Sequence, residues 1–309
     1  MLYVFNVVLP VFLLILIGYV GGRTGKLGTN ASIELNRFVV WLALPAQLFN
    51  FAANSGWQTL WQPSFITAFF LSCLIVFILV LLMSFMRSRD LAAASFDGLS
   101  ASYSNTGYMG IPLCALALGQ DGLAPAIIST FIVFVMFALA TVLIEIGILS
   151  HKRSHEIVLS VIKSLCTNPL LIAPVAGLAW AASGLTLYDP IAQVIAFLAA
   201  ASTPCALVSI GLFLIQKNTA APTQAWGISF AKLFLQPLIA WVIASPILDL
   251  PGLWVSAIVI LSALPTGTGP FMLAQYYKAD GSVISRVVLI TTVSSLLTLS
   301  LFLWWSNGV

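Results

Sequence analysis

The run Ser100-Ala-Ser-Tyr-Ser-Asn-Thr-Gly-Tyr-Met-Gly-Ile-Pro112 lies inside a long apolar stretch, and so does Leu264-Pro-Thr-Gly-Thr-Gly-Pro270. Each puts hydroxyls, glycines and prolines where a lipid-facing helix would carry aliphatic side chains. Gly107 and Gly110 loosen the backbone, while Pro112 removes an amide donor and clashes with the preceding turn. The pattern predicts a helix that breaks around Asn105 to Gly110 and restarts with Pro112 in its first turn, where proline fits. The second run predicts the same, with a break from Pro265 to Gly269 and a restart at Pro270. Irregular backbone at membrane depth survives only when buried in protein or lining a watery cavity. Two restarting helices that meet near the midplane would aim free amides and partial positive charge at one point, which favours an anion. Kinks that merely let helices pack closely are the alternative for either break alone.

Composition says what surrounds these breaks. The 309 residues are 61% hydrophobic and 7% charged, with a mean hydropathy of +1.08. A soluble domain carries about a quarter of its residues charged, so lipid is the solvent this chain is built for. The net charge of +3 forms no basic stripe, and nucleic acid is not an expected partner. Apolar stretches fall near 3–22, 33–53, 63–86, 92–119, 123–149, 160–183, 190–216, 223–247, 252–279 and 282–305. Each is long enough to span a bilayer, and the first reads as a transmembrane helix and not as a signal peptide. The expected fold class is therefore an all-α polytopic membrane protein of ten helices.

Charge placement orients it. With ten spans, all 12 lysines and arginines fall on one side of the membrane. By the positive-inside rule that side is cytoplasmic, which predicts a multi-pass protein of the cytoplasmic (inner) membrane with both termini outside. Tryptophans such as Trp57, Trp61, Trp180, Trp254, Trp304 and Trp305 collect near the outer helix ends, as an aromatic belt would.

The chain also repeats itself. A shift of 159 residues superposes Pro10 on Pro169, Gly18 on Gly177, Pro45 on Pro204, Gly110 on Gly269 and Asp121-Gly122 on Asp280-Gly281. Residues 1–150 and 160–309 then form two five-helix repeats. Five is odd, so the second repeat enters from the opposite side, an inverted-topology pair.

The motifs Asn105-Thr-Gly-Tyr-Met-Gly-Ile-Pro-Leu113 and Ala263-Leu-Pro-Thr-Gly-Thr-Gly-Pro-Phe271, with Ala274 and Tyr277, resemble those of the auxin efflux carrier family. Weaker matches at Leu44-Pro-Ala, Asn168-Pro, Lys232 and Gln236-Pro extend the likeness along the whole chain. That family includes plant carriers and bacterial malate and malonate transporters. The resemblance implies a bile-acid-symporter-like fold, with scaffold and transport units, broken helices 4 and 9 crossing, and elevator-like alternating access. It implies that Asn105 contacts substrate, that Pro112 and Pro270 are crossover prolines, and that a homodimer can form. The plant members' long central cytoplasmic loop is missing, so the likeness is to a compact bacterial member.

The expected function is thus secondary transport of a small organic anion, a mono- or dicarboxylate. Candidate binding residues are Asn105, Thr106, Gly107, Tyr108, Met109, Gly110, Thr266, Gly267, Thr268, Gly269 and Gln47, with Pro265 beside them and Tyr103 shaping the apolar wall. Lys232, about 13 Å into its helix at 1.5 Å per residue, reads either as a snorkelling lysine or as a charge partner for the anion. Asp97 and Glu145 sit toward helix ends. Asp121 and Asp280 read as turn caps. No carboxylate falls at mid-membrane, which leaves Na⁺ coupling, H⁺ coupling and uniport all open. His151 and His155 lie in a polar loop, and Cys73, Cys114, Cys166 and Cys205 are scattered singly, so no metal and no cofactor are expected. A channel or sensor would show a continuous polar stripe, and a membrane enzyme would need a nucleophile and base at depth. Neither pattern is present in the sequence.

Overall fold

A computed structural model describes residues 2–28, 30–54, 61–149, 167, 169–216 and 222–306. The sequence readings at Trp57, His151, His155, Cys166 and Asn168 lie outside these residues. Among them every regular element is a helix. We number them α1 (Leu2–Arg23), α2 (31–53), α3 (Pro63–Ser88), α4 (Leu91–Ser102), α5 (Ile111–Leu118) and α6 (Leu123–Ile148). The rest are α7 (Pro169–Ser183), α8 (Asp189–Gln216), α9 (222–247), α10 (Gly252–Ala263), α11 (Gly269–Tyr276) and α12 (Ser282–Ser306). Five described helices are long and apolar enough to cross a membrane. Large apolar side chains such as Ile78, Met83, Val135, Phe197 and Leu297 point outward from them. The protein is a polytopic membrane protein.

Prolines set the local geometry. Wide π-type turns occupy Val39–Ala43, Thr106–Gly110 and Ala231–Leu235, and each ends two residues before a proline: Pro45, Pro112 and Pro237. A proline has no N–H for the carbonyl four residues back and crowds it sterically. Widening the turn just before it relieves that clash without ending the helix. Asp90 caps α4, its carboxylate accepting from the Ala93 amide at 3.0 Å.

The 159-residue offset recurs in backbone geometry. Gly25 and Gly184 both adopt positive φ, at 70° and 69°, and Gly119 and Lys278 do so at 68° and 55°. Each pair is 159 residues apart. Helix packing repeats at the same offset. A Cβ on Gly18 of α1 would meet the Val208 carbonyl of α8 at 2.1 Å, and one on Gly177 of α7 would meet the Phe49 carbonyl of α2 at 2.6 Å. Gly177 and Val208 are Gly18 and Phe49 displaced by 159. In both places only a glycine lets the backbones come so close.

Two groups of helices follow from the packing. Helices α1, α2, α7 and α8 pack on one another; α3, α4, α6, α9, α10 and α12 form the other group. In the second group, every residue from Ala257 to Ala274 is buried. The irregular backbone between α10 and α11 therefore lies in the protein core, where its polar groups must be satisfied internally.

Candidate functional site

Helix α4 ends at Ser102 and α10 at Ala263, and beyond each the chain becomes extended. The two extended segments pair as an antiparallel bridge between Ser104 and Thr266. The Asn105 amide donates to the Pro265 carbonyl at 3.0 Å, and the Gly267 amide donates to the Tyr103 carbonyl at 2.9 Å. Each break thus supplies the partners the other lacks. Neither could stand alone in hydrocarbon.

Side chains satisfy the carbonyls that helix termination leaves open. The Thr266 hydroxyl donates to the Ser100 carbonyl at 2.8 Å, and Gln236 Nε2 donates to the Ser102 carbonyl at 3.3 Å. Lys232 Nζ donates to the Ser262 carbonyl at 2.6 Å and is fully buried. It does not snorkel outward, and it is not part of the cavity described below. Replacing Thr266 by valine should cost about 1–2 kcal/mol, because it orphans a buried carbonyl. Thermal unfolding in detergent should show a melting temperature lower by a few degrees. An unchanged value would mean the Thr266 bond contributes nothing to the break.

Two short helices restart from the breaks. Asn105 precedes the turn that leads into α5, and its carbonyl accepts from the Met109 and Gly110 amides, each at 3.1 Å. Thr268 precedes α11, and Pro270 lies in the first turn of that helix. Between these N-termini, α2 and α6 lies a cavity lined by Asn105, Thr106, Gly107, Gly267, Thr268, Gly269 and Gln47. It measures about 60 Å³, where a single water takes roughly 10–15 Å³, so it suits a molecule of few heavy atoms. The cavity lies on the seam between the two helix groups.

Its lining is uncharged, with polar groups at the breaks facing apolar walls: among the described residues no lysine, arginine, histidine, aspartate or glutamate contributes. Ser104 lines it too, and the buried Ser104 hydroxyl has no hydrogen-bond partner among the described residues. Among the described residues, no hydrogen bond within the protein engages the side chains of Asn105, Thr106 or Thr268. Buried polar groups are nearly always paired, so this cluster is short of a partner. The Tyr103 ring lies across the two glycines. A Cβ at Gly267 would sit 2.9 Å from it, and one at Gly269 would sit 2.5 Å away. These glycines are needed to seat the tyrosine as well as to free the backbone.

Other candidates do structural work. Met109 is buried, Gly110 packs against Leu261 and Leu264, and Thr266 and Pro265 are engaged in the pairing. The side chains of Tyr108 and Pro112 lie outside the described set. Asp97 is buried and accepts from Ser84 and Gln224; the Tyr277 hydroxyl donates to Glu145 at 2.7 Å. The Ser282 amide donates to Asp280 at 3.0 Å, at the start of α12. Sequence reasoning missed the apolar walls from α2 (Leu44, Leu48, Phe51) and α6 (Val133, Phe134). Thr130, one turn before Phe134 in a mostly apolar span, was the available signal for α6.

The family model for membrane transport proteins matches residues 3–303. The chain belongs to this family, the auxin efflux carriers. The transporter is 31% identical over 298 residues to a protein of Rhizobium meliloti named "Putative malonate transporter", covering 96% of this chain and 93% of that one. It is 28% identical over 312 residues to an uncharacterized transporter of Methanocaldococcus jannaschii, covering 97% of each. A third relative, an uncharacterized transporter of Methanothermobacter thermautotrophicus, is 27% identical over 303 residues, covering 96% of each.

Proposed function

We propose that the protein is a secondary transporter of a small carboxylate, malonate or malate being the first candidates, bound where α5 and α11 begin. The observation that carries this is the cavity. Two helix N-termini, the Ser104 hydroxyl and the uncommitted side chains of Asn105, Thr106 and Thr268 surround a small space without any fixed charge. Helix N-termini bind anions through free amides and the macrodipole. Hydrogen bonds to a charged group contribute about 1.5–3 kcal/mol each, so a few suffice without a lysine or arginine. The name of the Rhizobium relative agrees with a dicarboxylate.

In this reading ten spans form two inverted five-helix repeats, and α4–α5 and α10–α11 are the broken helices that cross at the midplane. The matched positive-φ residues and the matched glycine contacts at one offset support it. Helices α1, α2, α7 and α8 serve as scaffold, and the remaining group carries the substrate past it in an elevator movement. The position of the cavity on the seam supports that division. The one-sided distribution of Lys and Arg supports a cytoplasmic-membrane location with both termini outside.

Equilibrium binding to the purified protein tests the anion assignment. Labelled malonate should bind and be displaced by unlabelled malonate or malate, while the uncharged diamide of malonate leaves it bound. Equal displacement by the diamide would show that the site does not read negative charge.

A further inference from the structure

Lys232 is a lysine at 0% exposure, and the carboxylate site does not use it. Among the described residues the ion pair is Arg37 with Glu34, so no carboxylate balances Lys232 there. What it faces is the C-terminal end of α10, through the Ser262 carbonyl at 2.6 Å. One turn further along α9, Gln236 holds the C-terminal end of α4 through the Ser102 carbonyl and also donates to Cys73 Sγ at 3.3 Å. The bridge between Ser104 and Thr266 keeps the two ends together. Two more oxygens of the same residues, Ser262 Oγ and Gln236 Oε1, are buried without a hydrogen-bond partner among the described residues.

These are the ingredients of a cation site. Each helix C-terminus carries roughly half a negative elementary charge, so two such ends match one monovalent cation. In transporters with broken helices, half-helix C-termini and unwound carbonyls are where a coupling Na⁺ is held. Here the Lys232 amino group already lies against one of those ends. We propose that the Lys232 ammonium is a tethered cation occupying the place a coupling Na⁺ would take, so that this protein moves its anion without Na⁺. Removing the side chain should leave an oxygen-lined site for a small free cation.

The proposal rests on the transporter reading, but its test needs no carboxylate. Purified wild-type protein is melted with Na⁺ or with choline as the only monovalent cation, alongside Lys232→Ala. The wild type should melt at the same temperature in both. Lys232→Ala should melt lower in choline, on the order of 5–10 °C, and should regain a substantial part of that in Na⁺ or methylammonium. A wild-type melting temperature raised by Na⁺ overturns the proposal. So does a Lys232→Ala protein indifferent to every cation. If Lys232→Ala does not survive extraction, Lys232→Arg and the wild-type arm still decide: neither should respond to Na⁺, and a response from either contradicts a tethered charge. Malonate added to the wild type in choline tests the carboxylate site separately, so the two ideas fail independently.

Discussion

Asn105→Ala is expected to weaken carboxylate binding by on the order of 10–100-fold, the loss of one hydrogen bond to a charged ligand. The same protein should keep a melting temperature within a few degrees of wild type. The two expectations separate because the residue divides its labour. Its backbone builds the break: the amide donates to Pro265 and the carbonyl accepts from Met109 and Gly110. Alanine keeps all three bonds. Its side chain lines the cavity and makes no hydrogen bond among the described residues, so alanine removes only what the ligand would use. Titration of labelled malonate against both proteins, beside thermal unfolding, reads each part. Unchanged affinity would remove Asn105 from the site.

Gly211→Val is expected to abolish the folded protein. A Cβ there would sit 2.0 Å from the Ile15 carbonyl, 2.7 Å from the Tyr19 amide and 3.0 Å from Gly18 Cα. All three are backbone atoms of α1, which cannot step aside as a flexible side chain does, so α1 and α8 must separate. Overpacking of even forgiving cores costs about 1–3 kcal/mol, and this contact is far tighter than those. Gly227→Ala is the matched control, since nothing lies within 4 Å of its Cβ position. It should hold or slightly raise stability, as alanine favours a helix by roughly 1 kcal/mol. Size-exclusion profiles and melting temperatures compare the pair. A monodisperse Gly211→Val protein with wild-type stability would contradict the close packing of α1 and α8.

Both breaks were legible in the sequence because glycine and proline act locally. Pro112 and Pro270 bar a regular turn whatever surrounds them, and the hydroxyls beside them are costly in lipid. The 159-residue offset was legible for a similar reason: the residues that mark it, such as Gly18 and Gly25, occupy positions where little else fits. Lys232 was not legible. Nine residues into a helix, its reach allows an interface or an interior, and the Ser262 carbonyl that decides between them lies 30 residues away. The walls from Leu48, Phe51 and Phe134 were hidden too, because a side chain facing a cavity and one facing lipid are equally apolar. Gly267 and Gly269 read as backbone freedom, and their contact with the Tyr103 ring depends on how the two breaks pair.

Uptake of labelled malonate into proteoliposomes, with Na⁺, pH and voltage gradients imposed one at a time, tests carboxylate transport most directly. The predicted result is saturable uptake, competed by malate, that an imposed Na⁺ gradient leaves unchanged and Asn105→Ala reduces. Absence of saturable flux for malonate, malate and simple monocarboxylates under every gradient would contradict it.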